Sequence, residues 1–368
     1  MRNLEVNPFL NRVQALRKIM EERQLDVCLL FNRASIRYYT GLRMNTASFS
    51  ILLISQQDIK YVVARLDLKR ALRDCWIKEI LPFPEDTPDY LTVLNHYFHK
   101  RKITRVGVEL PELNYATFQY LQEKLSNAHF ENIASEVGRL RMIKSEEEIQ
   151  IIRKSAQIAD KAMQEALKAA RAGMKEHEVT AVAMYTMLKE GAENSSFEIF
   201  LASGENSWLP QRYASDKALN PNELILLDMG AIYQGYCSDI TRTFSVKETT
   251  LEQKRLFQDV LRIQQETIQS LRPGVQAGEI DYIARQKIQE LGYGDYFPHL
   301  TGHGLGLDIH EGPIIDKGRT DILEKNMVVT IEPGVYLPGV GAVRIEDMVL
   351  ITEGGYEVLT QTKRDLIN

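Results

Sequence analysis

Four carboxylates and one imidazole stand at spacings that could build a metal site. Asp228 follows the strand-like run Leu224-Ile225-Leu226-Leu227, the chain turns around Gln234-Gly235, and it returns through Cys237, Asp239, Thr241 and Phe244. Asp228 and Asp239 are therefore expected near each other across a hairpin. Glu332 and Glu346 repeat the arrangement around Pro338-Gly339-Val340-Gly341, with Gly339 midway between them. Between the hairpins runs Thr301-Gly302-His303-Gly304-Leu305-Gly306-Leu307-Asp308-Ile309-His310-Glu311, whose glycines match no dinucleotide-binding fingerprint. Four carboxylates and an imidazole form a hard, oxygen-rich set suited to two divalent cations, Mn²⁺ foremost, with Co²⁺, Zn²⁺ or Fe²⁺ as alternatives. Two such ions about 3.5–4 Å apart share a bridging water, lower its pKa and stabilise a tetrahedral intermediate. Taken singly, each acid reads as an ordinary solvated strand residue, and spacing alone leaves both readings open.

Elements must hold these residues in place. The apolar spacing of Val13, Leu16, Ile19 and Met20 predicts a helix over 10–24, and strands follow at 26–31, 49–54, 61–64 and 105–108, with a helix near 113–126. This reads as a compact α/β domain covering 1–135. In the remainder, 136–368, Ser145 and Glu148 form a capping-box signature ahead of Ile149, Ile152, Ala156, Ala159 and Met163. That helix stops at Gly173 and a second runs over 176–190. Two more helices are expected at 251–271 and 279–291. A helix pair followed by strands, twice over, suggests a duplicated α+β unit.

Composition narrows the classes of function. Residues 1–135 hold 19 basic and 15 acidic side chains, a net +4, which leaves −9 for the rest of a chain of net charge −5. Acid gathered in the second part is consistent with cation binding as well as with solvated surface. No basic run is long enough to argue for nucleic acid. No apolar run approaches the ~20 residues needed to span a bilayer, which argues against a membrane protein. The first residues lack the apolar core of a secretory signal, which points to the cytoplasm. Cys28, Cys75 and Cys237 show no paired spacing, so neither a disulfide framework nor a thiolate metal site is indicated, and Cys28 is expected in the core.

The ordered motifs carry a resemblance. Leu227-Asp228-Met229-Gly230, Ser238-Asp239-Ile240-Thr241-Arg242-Thr243-Phe244, Gly302-His303-Gly304-Leu305-Gly306 with His310-Glu311, Ile331-Glu332-Pro333-Gly334-Val335-Tyr336 and Arg344-Ile345-Glu346-Asp347 resemble the signature of the pita-bread metallopeptidases. That family includes Xaa-Pro dipeptidases (prolidases), Xaa-Pro aminopeptidases and methionine aminopeptidases. The match runs over roughly 140–368, and Ile36-Arg37-Tyr38-Tyr39-Thr40-Gly41-Leu42 resembles the creatinase-type N-terminal domain, which favours the Xaa-Pro branch. The implied fold is α+β, a pita-bread domain behind a smaller α/β domain.

The resemblance implies roles that spacing does not. Asp228 would chelate one metal, Asp239 and Glu346 would bridge both, and His303 and Glu332 would complete the other. Glu332 would also shuttle the proton of the attacking water. His310 would donate to the substrate carbonyl or the developing oxyanion, Arg344 would pair with Asp239 or a substrate carboxylate, and His299 would lie near the substrate. The implied reaction is hydrolysis of the Xaa-Pro bond of short proline-containing peptides through a metal-bridging hydroxide, in a homodimer. One position departs from the pattern, since the family's loop histidine after a proline is Gln211 here. Glutamine can donate a hydrogen bond but carries no proton near pH 7. Two alternatives follow from it: the same metals acting on another small amide or peptide, or a weakly active or non-catalytic pita-bread binding protein. A metal-independent creatinase-like amidinohydrolase is disfavoured, because all five ligand positions are filled.

Overall fold

The computed structural model describes residues 7–44, 48–84, 90–99, 101–210 and 212–366. The chain divides into two units, Met1–Arg141 and Met142–Asn368. The first holds a sheet of β1 (Val27–Leu30), β2 (Ser50–Ser55), β3 (Ile59–Ala64), β4 (Glu79–Phe83), β5 (Arg105–Val108) and β6 (His129–Asn132), in the order β4-β3-β2-β1-β5-β6. Only β1 with β2 and β2 with β3 run antiparallel. Apolar residues of β1 and β2 are buried on both faces, as Val27, Cys28, Leu29 and Leu30 show, because helices cover the sheet. Those helices are α1 (Pro8–Glu22), α2 (Arg33–Thr40), α3 (Leu68–Asp74), α4 (Tyr90–His99), α5 (Tyr115–Lys124) and α6 (Ala134–Met142).

The second unit is built twice over. Helices α7 (Glu146–Ala169) and α8 (Glu176–Lys189) precede β7 (Asn194–Ser195), β8 (Phe200–Ser203), β9 (Ile225–Met229), β10 (Ala231–Tyr233), β11 (Tyr236–Cys237) and β12 (Ile240–Phe244). Helices α9 (Leu251–Gln269) and α10 (Ala277–Glu290) precede β13 (Gly302–Gly304), β14 (Glu311–Ile315), β15 (Val328–Ile331), β16 (Gly334–Leu337), β17 (Gly341–Arg344), β18 (Asp347–Thr352) and β19 (Gly355–Val358). The capping box at Ser145 and Glu148 forms as expected, and a second one, Thr250 with Gln253, starts α9. In each half the helices lay an apolar stripe on the strands. Ile158, Ala162 and Met163 pack with Val179, Ala183, Leu227 and Met229, and Leu256, Val260 and Ile263 pack with Ala284, Ile288, Val335 and Val343. No described helix is long and apolar enough to cross a membrane.

Each half centres on a long hairpin that breaks partway along. In the first, β9 pairs with β12 and β10 with β11, and the pairing lapses around Gly230 and Ser238-Asp239. A side chain at Gly230 would collide with the Ser238 carbonyl, so glycine is what allows the strands to close there. In the second, β15 pairs with β18 and β16 with β17, and the pairing lapses at Glu332-Pro333 and Ile345-Glu346. At such breaks side chains leave the regular alternation of a strand and can converge on one point.

Candidate metal centre

The two hairpins meet where they break. The Glu346 amide donates to Thr241 O at 3.1 Å, and Thr243 Oγ1 both donates to Arg344 O at 3.0 Å and accepts from its amide at 3.1 Å. Residues more than 100 positions apart in the sequence are thereby fixed in register. Glu332 is held from another side, its amide donating to Thr301 O at 2.8 Å.

Asp239, His303 and Glu346 are buried and offer ligand atoms that all lie within 4.8 Å of one another. His303 Nε2 is 3.6 Å from Asp239 Oδ2 and 3.4 Å from Glu332 Oε1. The other ring nitrogen, Nδ1, donates to the Gly304 carbonyl at 3.0 Å, which fixes the tautomer and leaves the Nε2 lone pair directed at the acids. Thr241 Oγ1 donates to Glu346 Oε2 at 2.7 Å. Arg344 Nη2 pairs with Asp228 Oδ2. Each remaining oxygen of those carboxylates, Asp228 Oδ1 and Glu346 Oε1, together with Asp239 Oδ1, is buried without a hydrogen-bond partner. Buried carboxylate oxygens rarely go unpaired, because desolvation without a partner costs free energy. Three of them beside an imidazole lone pair fit divalent cations, so the donor set passes the chemical test for a metal centre.

Electrostatics carries the same message. Burial, then repulsion from Glu346, Asp228 and Glu332, holds the Asp239 carboxyl well above the usual range, and burial with repulsion from Glu332 and Asp228 raises Glu346. Burial pushes Glu332 up to about 8. His303 is pressed down to about 4 by burial and by His310, so its imidazole stays neutral and able to ligate. A prediction follows for metal-free protein. His299, His303 and His310 fall below their ordinary 6.5 in the folded chain, so above about pH 6.5 the unfolded chain keeps less than half a proton on each, and steadily less as pH rises. Between there and about pH 8 the folded carboxyls still bind protons that the unfolded chain has released, and stability must fall as pH rises. Thermal melts of chelated protein should show this decline, and metal-loaded protein should lose it. A rising or flat melting temperature across that window in chelated protein would remove the electrostatic argument.

The structure brings together most of the residues singled out in the sequence. His310, solvent-exposed, sets its ring at a tilt against buried His303, with 4.4 Å between ring centroids. Arg344 differs from expectation, since its ion-pair partner is Asp228 and not Asp239. The reason is register: β9 and β12 set Asp228 opposite Thr241, so Asp239 stands diagonally two residues nearer the turn and not face to face with Asp228. Gln234 and Gly235, at φ 47° and 92°, form the two-residue turn that fixes this pairing. Arg344 also donates to Tyr336 Oη at 2.6 Å, Pro210 O at 3.4 Å and Thr241 Oγ1 at 3.4 Å, so four of its five N–H groups have acceptors. His299 keeps neither nitrogen for a ligand, because Nδ1 donates to Leu300 O at 2.8 Å and Nε2 accepts from Tyr336 Oη at 2.9 Å. Burial and the Arg344 charge press it down to about 3, which preserves that accepting lone pair. Gln211 lies outside the described residues.

Sequence reasoning missed two residues. Tyr336 links Arg344 to His299, and Thr241 orients Glu346. Alternation along β12 could have found Thr241, which points to the same face as Asp239; nothing marks Tyr336 except its place in Pro-Gly-Val-Tyr. The first part of the glycine run, Gly302–Gly304, is a strand, β13, which seats His303 between β14 and β15.

Comparison with known proteins agrees with this construction. Residues 150–353 match the family model described as metallopeptidase family M24, and residues 12–143 match the creatinase/prolidase N-terminal domain. An Xaa-Pro dipeptidase of Pyrococcus horikoshii is 37% identical over 356 residues, covering 97% of this chain and 98% of that protein. The solved structure of an Xaa-Pro dipeptidase from Bacillus anthracis has a TM-score of 0.90 at 35% identity, covering 98% of this chain and 99% of that one. That of an X-Pro aminopeptidase from Thermotoga maritima has a TM-score of 0.90 at 35% identity, covering 97% and 99%. The duplicated α+β unit is thus the pita-bread fold behind a creatinase-type domain, and the chain belongs to metallopeptidase family M24.

Proposed function

We propose that this chain hydrolyses the Xaa-Pro bond of short peptides with two divalent ions, Mn²⁺ first among them, held by Asp228, Asp239, His303, Glu332 and Glu346. The observation that carries the reading is the group of three buried, unpaired carboxylate oxygens around the His303 lone pair. The ions supply an activated water and a Lewis acid. Glu332, held beside the ions, accepts the proton of the attacking water and passes it to the leaving nitrogen. His310, exposed and in ring contact with His303, donates to the carbonyl oxygen as charge develops there. Arg344 is held by Tyr336, Thr241 and the Pro210 carbonyl, so it neutralises Asp228 and leaves one N–H toward the substrate. Gln211 belongs to the proposed substrate contacts as a neutral donor, and His299 supports them through Tyr336. The relatives named as Xaa-Pro dipeptidases and as an X-Pro aminopeptidase support the substrate class. A cytoplasmic homodimer completes the proposal.

Two measurements test it. Titration of chelated protein should saturate near two Mn²⁺ per chain; a single ion would contradict the dinuclear reading. A panel of Xaa-Pro dipeptides, Xaa-Pro tripeptides and Met-Xaa peptides, run with the wild type and Gln211→His, should show turnover confined to proline peptides. Turnover only on other amides would favour the altered-substrate reading that Gln211 raises.

A further inference from the structure

Lys144 has a side chain only 1% exposed, and the carboxylate 3.5 Å from its Nζ is that of Glu311, itself 6% exposed. Lysine and glutamate are almost never buried so deeply unless paired, and a buried pair is often no more stable than apolar residues of similar volume. Its purpose is then to be sought in what it holds. Glu311 directly follows His310. Its Oε1 accepts from the Asp308 amide at 3.0 Å, which turns the carboxylate back under the loop that carries His310. Gly306 makes room for it, since a Cβ there would lie 2.7 and 2.9 Å from the two carboxylate oxygens. The Cys237 amide donates to Gly306 O at 2.7 Å and ties the same loop to the first hairpin. Lys144 is anchored in turn, its amide donating to Asn326 O at 3.0 Å, one residue before the Ser145 cap of α7. A helix start, a buried ammonium, a carboxylate and a loop thus lead to an imidazole whose ring centre lies 4.4 Å from that of His303.

We propose that Lys144 is a positioning residue for His310, acting through Glu311. The inference rests on the reading of His310 as the donor to the scissile carbonyl. In full-length, Mn²⁺-loaded protein, Lys144→Met combined with Glu311→Gln removes both charges of the pair together. The expected result is a kcat lower by about 10–100-fold with KM and bound metal little changed. Lys144→Arg, which keeps the cation, should recover most of the loss. In a His310→Ala background the paired change should lower kcat no further, because its target is already gone. In Zn²⁺-loaded protein the paired variant should also show faster exchange of the Asp308 amide and a shifted His310 imidazole signal. Losses that multiply in the His310→Ala background would overturn the proposal, as would wild-type kcat with unchanged exchange and signal. Wild-type kcat in His310→Ala alone would instead remove the donor reading, and the exchange and imidazole measurements would then decide the positioning role by themselves.

Discussion

Glu332→Gln should lower turnover by about 10²- to 10⁴-fold, the usual contribution of a positioned proton acceptor, while leaving the fold intact. The substitution is isosteric and keeps one oxygen for a ligand, yet an amide cannot take a proton from the attacking water. The surrounding acids supply the control. Above about pH 8 the metal-free wild type keeps an ionised Glu332 among Asp228, Asp239 and Glu346, whereas the variant is neutral there. Chelated Glu332→Gln should therefore melt no lower than chelated wild type at that pH. Stopped assays on an Xaa-Pro dipeptide, with metal content measured on the same samples, check both halves. Turnover undiminished at full metal loading would falsify the proton-transfer role.

Arg242→Met should cost about 3–5 kcal/mol of stability, the largest structural effect expected in the catalytic unit. Its guanidinium is 2% exposed against an Asp347 that is fully buried, the two 2.8 Å apart. It also donates to Thr362 O at 2.7 and 3.1 Å, to Glu346 O at 2.6 Å and to Thr241 O at 2.9 Å. Methionine fills similar volume but takes this donor from the Thr362 and Glu346 carbonyls, while Thr241 O keeps the Glu346 amide, at roughly 1–3 kcal/mol for each buried group left unpaired. Asp347 would keep Gln264, Thr360 and Arg364. Arg364→Met is the comparison: its side chain is 26% exposed and Arg242 remains, so the cost should stay within about 1 kcal/mol. Urea denaturation of the two variants distinguishes them. Equal losses would mean that Arg242 is not the centre of the network. Because Glu346 O and Thr241 O both accept from Arg242, its loss should also weaken metal binding.

How much of this was legible before the structure depends on the type of signal. The second hairpin was read correctly because its pairing, from Leu337 with Gly341 through Gly334 with Arg344 to Ile331 with Asp347, folds about Gly339 as the symmetry of Glu332 and Glu346 implies. The first turn was read at Gln234-Gly235, where two positive φ angles do place it, but the pairing of Asp228 with Thr241, and so the diagonal placing of Asp239, was not legible. The long helices with caps and periodic apolar positions were found to within a few residues, whereas the short helices Arg33–Thr40, Leu68–Asp74 and Tyr90–His99 were not, being too brief to show a period. Nor was the helix Ala134–Met142, since it buries few side chains, among them Val137 and Arg141, and so lacks a clear apolar stripe. Contacts across more than 100 positions, such as Thr241 with Glu346 or Arg344 with Asp228, leave no trace in local pattern. They arise only when the two hairpins meet.

That meeting has a mechanical consequence. Asp228 and Asp239 come from the first broken hairpin, and His303, Glu332 and Glu346 from the second half, so neither half alone carries the whole donor set. Ions bound there would act as a clasp across an internal seam, favouring the closed state over any state in which the halves part. Protease nicking near Ser245–Thr250, where one half passes into the next, would then be tolerated in loaded protein and lead to separation of the pieces once the metal is withdrawn.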